Sequence, residues 1–367
     1  MLKKFTVTNF RGFEKMELDL TKVCDYDFNT ECVDEKNGIV KKAMIYGRNG
    51  TGKTNLGLAL ADICNFANFG CTDNEFAFNG NLEIDYAKFR YEFYINGTDV
   101  VIRYKRASKR KLVDESLEIA GDLIYTYKHG AETALMGDLS KINAQTLNLE
   151  RKHPEVSLFQ YIAHNAPKDD TGVLHKTLDF INHMDGMTPS FDGGEKMLNF
   201  VLDTFIENKK VDKFEVFLNE CGIDCKLLVE RNTSGRKVLY IKYKANPIPF
   251  IEAASSGTKV LAVFFHRYYP FTAWNKEASC FFYLDEFDAF YHFELAETIV
   301  KLVKAMPNCQ AIFTTHNTNL LDNDLLRPDC YFVMDGEKVE SLPYLTDREL
   351  RYDNSLVRLY KGGAFGG

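Results

Sequence analysis

No stretch of the sequence supplies the roughly 20 consecutive apolar residues that a bilayer-spanning helix needs, which excludes an integral helical membrane protein. The opening Met1-Leu2-Lys3-Lys4-Phe5-Thr6-Val7 lacks the apolar core and small-residue cleavage site of a signal peptide, so a cytoplasmic protein is expected. The nine cysteines are scattered, and only Cys221 and Cys225 lie close together, with no second pair or histidine to complete a zinc set. They read as reduced, mostly buried thiols. Positive charge is also short. Lys and Arg number 45 against 52 Asp and Glu, a net charge of −7, which argues against a protein that coats nucleic acid but permits a local basic groove. Internal repeats and low-complexity segments are missing too. What remains is an ordinary globular composition, 45 % hydrophobic and 26 % charged, in 367 residues, enough for one large domain or two lobes sharing a core.

The most specific stretch is Gly47-Arg48-Asn49-Gly50-Thr51-Gly52-Lys53-Thr54, which fits G-x-x-x-x-G-K-[ST]. Ala43 to Tyr46 before it read as a buried strand, and Asn55 to Ile63 after it as an apolar helix, the context a phosphate loop requires. Glycines let successive N–H groups turn inward, and the positive end of the helix dipole adds to the attraction for phosphate. Lys53 would reach the β and γ phosphates of a nucleotide and Thr54 would ligate magnesium. The nucleotide-lining set is Gly47, Asn49, Gly50, Thr51, Gly52, Lys53, Thr54 and Asn55.

Around this loop the pattern changes twice. Phe5 to Phe10 and Met16 to Leu20 alternate as two strands of a hairpin turning at Arg11-Gly12, followed by a polar, acidic stretch over 21–42 that reads as an exposed excursion. Residues 82–104 read as a β-meander with a strong Asn96-Gly97 turn, and Leu117 to Ala120 and Leu123 to Tyr127 extend it. From about 139 to 222 the spacing becomes helical, broken by Pro154, Pro167 and Pro189, with no sustained heptad. Leu227 to Glu230 and Val238 to Tyr243 flank another hairpin turn. The expected domains are 1–138 (phosphate loop and β-lobe), 139–225 (helical lobe) and 226–367 (second half of the core). The basic run Lys105, Arg106, Lys109, Arg110 and Lys111 is either a solvated turn or a nucleic-acid contact.

The second half carries three further signals. Phe281 to Leu284 read as a buried parallel strand that puts Asp285 and Glu286 at its C-terminal edge, where open α/β sheets bind ligands. Asp285 would hold magnesium and Glu286 would orient or deprotonate an attacking water. A second strand, Gln310 to Thr315, ends at His316, placed to bond a γ-phosphate. Ala254-Ser255-Ser256-Gly257-Thr258-Lys259 precedes an apolar helix, with Ser255 as its cap and small residues leaving its amides open to an anion.

Phosphate loop, Ser-Ser-Gly helix start, Asp-Glu strand and histidine strand stand in an order that resembles ABC-type ATPase heads. With Asn9-Phe10-Arg11-Gly12-Phe13, the chain resembles the branch containing RecF, SMC proteins and OLD ATPases. Its tail, Arg351 to Gly366, is similar to that of small OLD-like AAA-type ATPases of bacterial antiviral defence. The resemblance implies an α/β P-loop NTPase of ABC ATPase-head type, with a mixed central sheet, an antiparallel β-lobe and an inserted helical lobe. It implies ATP and Mg2+ as ligands, Lys53, Glu286 and His316 as the catalytic set, and Thr54 with Asp285 at the metal. Ser255, Ser256 and Gly257 would contact ATP held by another subunit, and Arg11 would approach the nucleotide. The magnesium-sensing glutamine is Gln145 or Gln160, with Gln160 preferred because it follows Ser157-Leu158-Phe159 in a patterned segment. Ala254 and Thr258 depart from the residues transporters carry in this signature, and no room remains for the Toprim nuclease of many OLD proteins.

A phosphate loop and a signature on one chain serve two nucleotides more readily than one, so a head-to-tail homodimer or higher oligomer closed by ATP is expected. A separate effector protein is the implied partner, in anti-phage (abortive infection) defence. The alternative is a RecF-like DNA-repair ATPase that binds DNA through residues such as Arg106 and Arg110. A phosphate-loop kinase or GTPase is disfavoured, since no Asn-Lys-x-Asp motif is present and the signature would be unexplained.

Overall fold

The computed structural model describes residues 1–68, 76–108, 111–131, 134–153, 155–167, 172–187, 194–273, 278–336 and 338–366. Lys109, Arg110, Pro154 and Pro189, singled out above, lie outside the described residues. Two units make up the chain, one of residues 1–186, 279–285 and 309–367, the other of 187–278 and 286–308. Residues 139–186, expected in the helical lobe, therefore belong to the first unit, and position 225/226 falls inside the second.

In chain order the first unit has β1 (Leu2–Phe10), β2 (Phe13–Asp19), β3 (Val33–Asp34), β4 (Ile39–Val40), β5 (Lys42–Tyr46) and α1 (Lys53–Ala67). The meander follows as β6 (Ala87–Ile95), β7 (Thr98–Ser108), β8 (Lys111–Ile119), β9 (Asp122–Lys128) and β10 (Leu135–Gly137), then α2 (Leu158–Asn165), α3 (Val173–Asn182) and β11 (Met184–Met187). The second unit supplies α4 (Gly194–Glu207), α5 (Val211–Glu220), β12 (Leu227–Arg231), β13 (Lys237–Ile241), β14 (Ile248–Pro249), α6 (Phe250–Ala253) and α7 (Ser256–Ala273). The chain returns to the first unit for β15 (Cys280–Leu284) and contributes α8 (Phe293–Lys304) to the second. It closes with β16 (Cys309–Thr315), β17 (Tyr331–Met334), β18 (Val339–Ser341) and α9 (Leu356–Lys361).

Seven strands form an antiparallel sheet in the order β10-β9-β8-β7-β6-β1-β2. Strict alternation drives it: Ala87, Phe89, Tyr91, Phe93 and Ile95 of β6 point inward. Asn96 (φ 50°) and Gly97 (φ 83°) take the left-handed conformations that a two-residue hairpin needs. The second sheet runs β11-β15-β16-β5-β17-β18, with β15, β16, β5 and β17 parallel and β18 antiparallel to β17. Every residue of β5, β15 and β16 is buried, the signature of parallel strands covered on both faces.

Helix α1 packs against both sheets. Phe66 stacks on Tyr104 with ring centroids 4.3 Å apart, and the Tyr91 hydroxyl donates to the Ala59 carbonyl at 2.7 Å. Leu56, Leu60, Ile63 and Phe66 are buried, and each such side chain contributes about 1.5–3 kcal/mol on leaving water. The expected fold is present: an α/β P-loop NTPase fold with a mixed central sheet, an antiparallel β-sheet and an inserted helical segment.

The 21–42 stretch departs from expectation. Cys32, Val33, Ile39 and Val40 are buried, and the buried Arg327 side chain donates to the Cys24 carbonyl while bonding Asp329 at 2.9 Å. Asp25, Asp27, Glu31, Glu35 and Lys36 are exposed as the polar composition implies, so the departure lies in these apolar residues and in the backbone of Cys24. The second unit is built on an aromatic core in which Phe205, Phe214, Phe217 and Phe265 have ring centroids 4.8–5.3 Å apart. None of the eight described cysteines forms a disulfide.

Candidate functional site

Strand β5 ends at Tyr46 and α1 begins at Lys53, so residues 47–52 form the loop between them. Three of its glycines are required by the backbone or by close approach. Gly50 and Gly52 have φ of 83° and 102°. A Cβ at Gly47 would lie 2.7 Å from the Met334 carbonyl oxygen and 2.8 Å from Thr51 Oγ1. At Gly52 it would meet the Phe13 ring at 2.7 Å, so the β1–β2 hairpin and the end of β17 both press on the loop. Asn49 and Gly50 are exposed.

The side chains after the loop converge on two strand ends. Lys53 Nζ, largely buried, donates to the Gly47 carbonyl at 2.8 Å and lies 2.9 Å from His316 Nε2, the first residue after β16. Thr54 Oγ1 donates to Asp285 Oδ2 at 2.6 Å. The other oxygen, Asp285 Oδ1, accepts from Thr314 Oγ1, also at 2.6 Å. Arg11, in the hairpin turn with φ 50°, donates from Nη1 to Asn55 Oδ1 at 3.1 Å. Lys53, Thr54, Asn55, Arg11, Asp285 and His316 are thus brought together at one end of the first unit.

The Thr54 hydroxyl and Asp285 carboxylate are hard oxygen donors on facing elements, a pair that suits Mg2+ rather than a softer metal. A cavity of about 670 Å3 opens beside the loop, lined by Gly12, Glu14, Lys15, Asn81, Gly336 and Lys338 among others. It borders the loop because Gly12 approaches Asn55 and Gly336 approaches the Thr51 carbonyl.

Gln160 is not brought to this site. Its backbone N–H donates to Ser157 Oγ at 2.9 Å, and Ser157 Oγ donates to the Phe66 carbonyl at 2.7 Å. Phe66 lies near the C-terminal end of α1, about 20 Å along the helix from Lys53 at 1.5 Å per residue. A glutamine side chain cannot bridge that distance, so the metal role expected for Gln160 is withdrawn. Gln145, the alternative, is exposed in a turn.

The remaining predicted residues fall in the second unit. Glu286 follows Asp285 with φ 41°, a left-handed conformation that is strained for a residue with a Cβ. Ser255 caps α7: its Oγ accepts from the Thr258 N–H at 3.1 Å. Ser255 and Ser256 are exposed, and a Cβ at Gly257 would stand 2.7 Å from the Phe290 carbonyl oxygen.

Two residues escaped the sequence reading. Thr314 was legible in principle as a hydroxyl within an apolar strand, since a buried hydroxyl needs a partner. Tyr283 lay hidden in an aromatic run, yet its hydroxyl donates to the Lys53 carbonyl at 2.5 Å. Arg106, offered above as a DNA contact, is instead buried against Asp62, with Nε 3.2 Å from Oδ1, and Lys105 pairs with Asp114 at 2.7 Å.

Comparison with known proteins adds the following. A family model described as "AAA domain, putative AbiEii toxin, Type IV TA system" matches residues 157–322. No curated relative matches the sequence. Among solved structures, the SMC head domain from Thermotoga maritima is 16 % identical, with 93 % of this chain and 97 % of that chain covered and a TM-score of 0.45. The SMC head bound to the C-terminal winged-helix domain of ScpA is 18 % identical, with 93 % and 97 % covered and a TM-score of 0.47. The recombination mediator RecF with ATP is 14 % identical, with 93 % and 97 % covered and a TM-score of 0.42.

Proposed function

We propose that this chain binds and hydrolyses ATP as an ABC-type ATPase and works as a switch for a separate effector. The observation that carries the reading is the convergence of Lys53 with His316 and of Thr54 with Asp285 at the mouth of the phosphate loop. Lys53 bridges the loop carbonyl and His316, and a triphosphate in the loop offers its ammonium a stronger, charged acceptor. His316 is then released to bond the γ-phosphate. Glu286, next in the chain to Asp285, takes a proton from the water that attacks the γ-phosphorus as the bond to the bridging oxygen breaks, leaving ADP and phosphate. Mg2+, held by Thr54 and Asp285, would neutralise charge on the β- and γ-phosphate oxygens. Arg11 steers Asn55 toward the nucleotide.

Ser255, Ser256 and Gly257 begin a helix of 18 residues with their own side chains small and turned to solvent or cap. Their amides would close on ATP held by a second copy, which makes the active form a head-to-tail homodimer. The family description, a putative AbiEii toxin of a type IV TA system, supports work alongside a partner protein, in keeping with a defence role. Among the described residues no helix is long and apolar enough to cross a membrane.

Phosphate release and ATP binding test the reading with two variants. Lys53→Ala should lower turnover about 100-fold or more and weaken ATP binding. Glu286→Gln should lose turnover to a similar extent, about 100-fold, yet still bind ATP and elute as a dimer in its presence. Wild-type turnover by Glu286→Gln would remove the base assignment, and no ATP-dependent dimer would remove the sandwich.

A further inference from the structure

Strand β15 reaches toward one turn of α1 with two side chains. Alternation puts Tyr283 and Asp285 on the same side of the chain. Asp285 accepts from the Thr54 hydroxyl at 2.6 Å, and the Tyr283 hydroxyl donates to the Lys53 carbonyl at 2.5 Å. That carbonyl is also the helical acceptor for the Gly57 N–H, so the phenol occupies its second lone pair. The ring itself fills the space where a Gly57 side chain would begin. Its Cε1 and Cδ1 lie 2.5 and 2.6 Å from an ideal Cβ, closer than real Cβ atoms come to anything. Any residue but glycine at 57 would push the helix off the strand or turn the ring away. Tyr283 is 3 % exposed, so its hydroxyl is shut off from water and committed to the carbonyl.

We infer that Tyr283 and Gly57 form a clamp that fixes the first turn of α1, and with it Lys53 and Thr54, independently of the Asp285–Thr54 bond. The need for a second tether follows from the chemistry of the first. When Thr54 and Asp285 turn to a cation they give up their mutual hydrogen bond, and the turn would lose its hold on β15 at the moment the nucleotide is gripped. The Tyr283 bond involves only a backbone carbonyl and an uncharged hydroxyl, and no phosphate or cation competes for it. Tyr283 is a positioning residue that acts through the Lys53 backbone. The consequence for nucleotide affinity rests on the ATPase reading above, whereas the clamp itself does not.

Two measurements on the full chain separate these layers: amide hydrogen exchange at Gly57 without nucleotide, and the affinity for a fluorescent ATP analogue. Tyr283→Phe removes one oxygen and keeps the ring. It should speed exchange at Gly57 and raise the ATP dissociation constant, each about five-fold, the size of one hydrogen bond. Gly57→Ala should do worse in both, and adding Tyr283→Leu, which removes the ring, should restore thermal stability to the alanine variant without restoring ATP affinity. Exchange at Gly57 unchanged in Tyr283→Phe would overturn the clamp. Faster exchange with unchanged ATP affinity would overturn its positioning role. If the wild-type chain binds no ATP, the ATPase reading falls, and the exchange measurement still decides for or against the clamp.

Discussion

Replacing Arg106 distinguishes a structural cation from a nucleic-acid contact. Arg106 on β7 and Asp62 on α1 are each 4 % exposed, with the guanidinium Nε 3.2 Å from the carboxylate. The Tyr104 hydroxyl donates to the same carboxylate at 2.7 Å, and the guanidinium lies over the Tyr104 ring, 5.7 Å from its centroid. Arg106→Met keeps most of the buried volume and strands the carboxylate in an apolar site. Breaking one side of a buried pair costs about 3–5 kcal/mol, which for a unit of this size lowers the melting midpoint by about 6–10 °C. Combining Arg106→Met with Asp62→Leu should recover most of that loss, because a packed apolar pair replaces a buried ionic one at little cost. The pH dependence has a definite sign. Burial raises the Asp62 carboxyl above its ordinary value of 3.8, against the opposing pull of Arg106 and Tyr104, and loss of the guanidinium raises it further. A carboxyl whose folded value is raised contributes stability that is complete below its unfolded value and lost as pH rises through the folded one. The gap between Arg106→Met and wild type should therefore narrow as pH falls toward 4, roughly the unfolded carboxylate value. Thermal melts followed by circular dichroism between pH 4 and 8 read both effects. An Arg106→Met variant that melts with wild type at neutral pH while losing affinity for duplex DNA would refute the structural assignment.

Other substitutions address the loop and the acidic pair. Gly47→Ala places a methyl 2.7 Å from the Met334 carbonyl oxygen, so the loop must shift; ATP affinity should fall at least ~10-fold with far-UV dichroism unchanged, and wild-type affinity would contradict the tight approach. Glu286→Gly relieves the φ of 41° and should raise the melting midpoint by a degree or two, about 1 kcal/mol at most, while abolishing turnover. A Glu286→Gly variant no more stable than Glu286→Gln would show that the strain is absent in solution.

The phosphate loop was legible because backbone geometry dictates its residues one by one. Gly50 and Gly52 need positive φ and Gly47 needs space, and the loop sits between a buried strand and an apolar helix. The meander was legible for a similar reason, since alternation and an Asn-Gly turn are local properties. Gln160 shows where local reading ends. Its neighbourhood does hold a capped helix, with Ser157 accepting from the Gln160 N–H, so the pattern was real. The position of that helix is decided elsewhere. Buried Glu115 accepts the Leu158 and Phe159 amides at 2.6 and 3.1 Å, and Ser157 reaches the Phe66 carbonyl. Those partners are distant in sequence, and nothing in the residues near 160 announces them. The 21–42 stretch misled in part for the same reason, because the Cys24 carbonyl and amide serve Arg327 and Asp329 far along the chain.

Asp285 and Glu286 carry this contrast into the site itself. In the sequence they are one acidic pair at the end of an apolar run, and the two carboxylates look interchangeable. In the fold the division between the two units passes between them. Asp285 follows the last residue of the parallel strand β15, and both its carboxylate oxygens accept from threonine hydroxyls at 2.6 Å. Glu286 opens the other unit in a backbone conformation that glycine would adopt without strain. In the proposed function Asp285 is the cation ligand, and its bond from Thr314 is the tether that remains when the Thr54 hydroxyl turns to the cation. The strained residue, Glu286, suits a base that must be aimed at a water, and the two roles are separated by a single peptide bond.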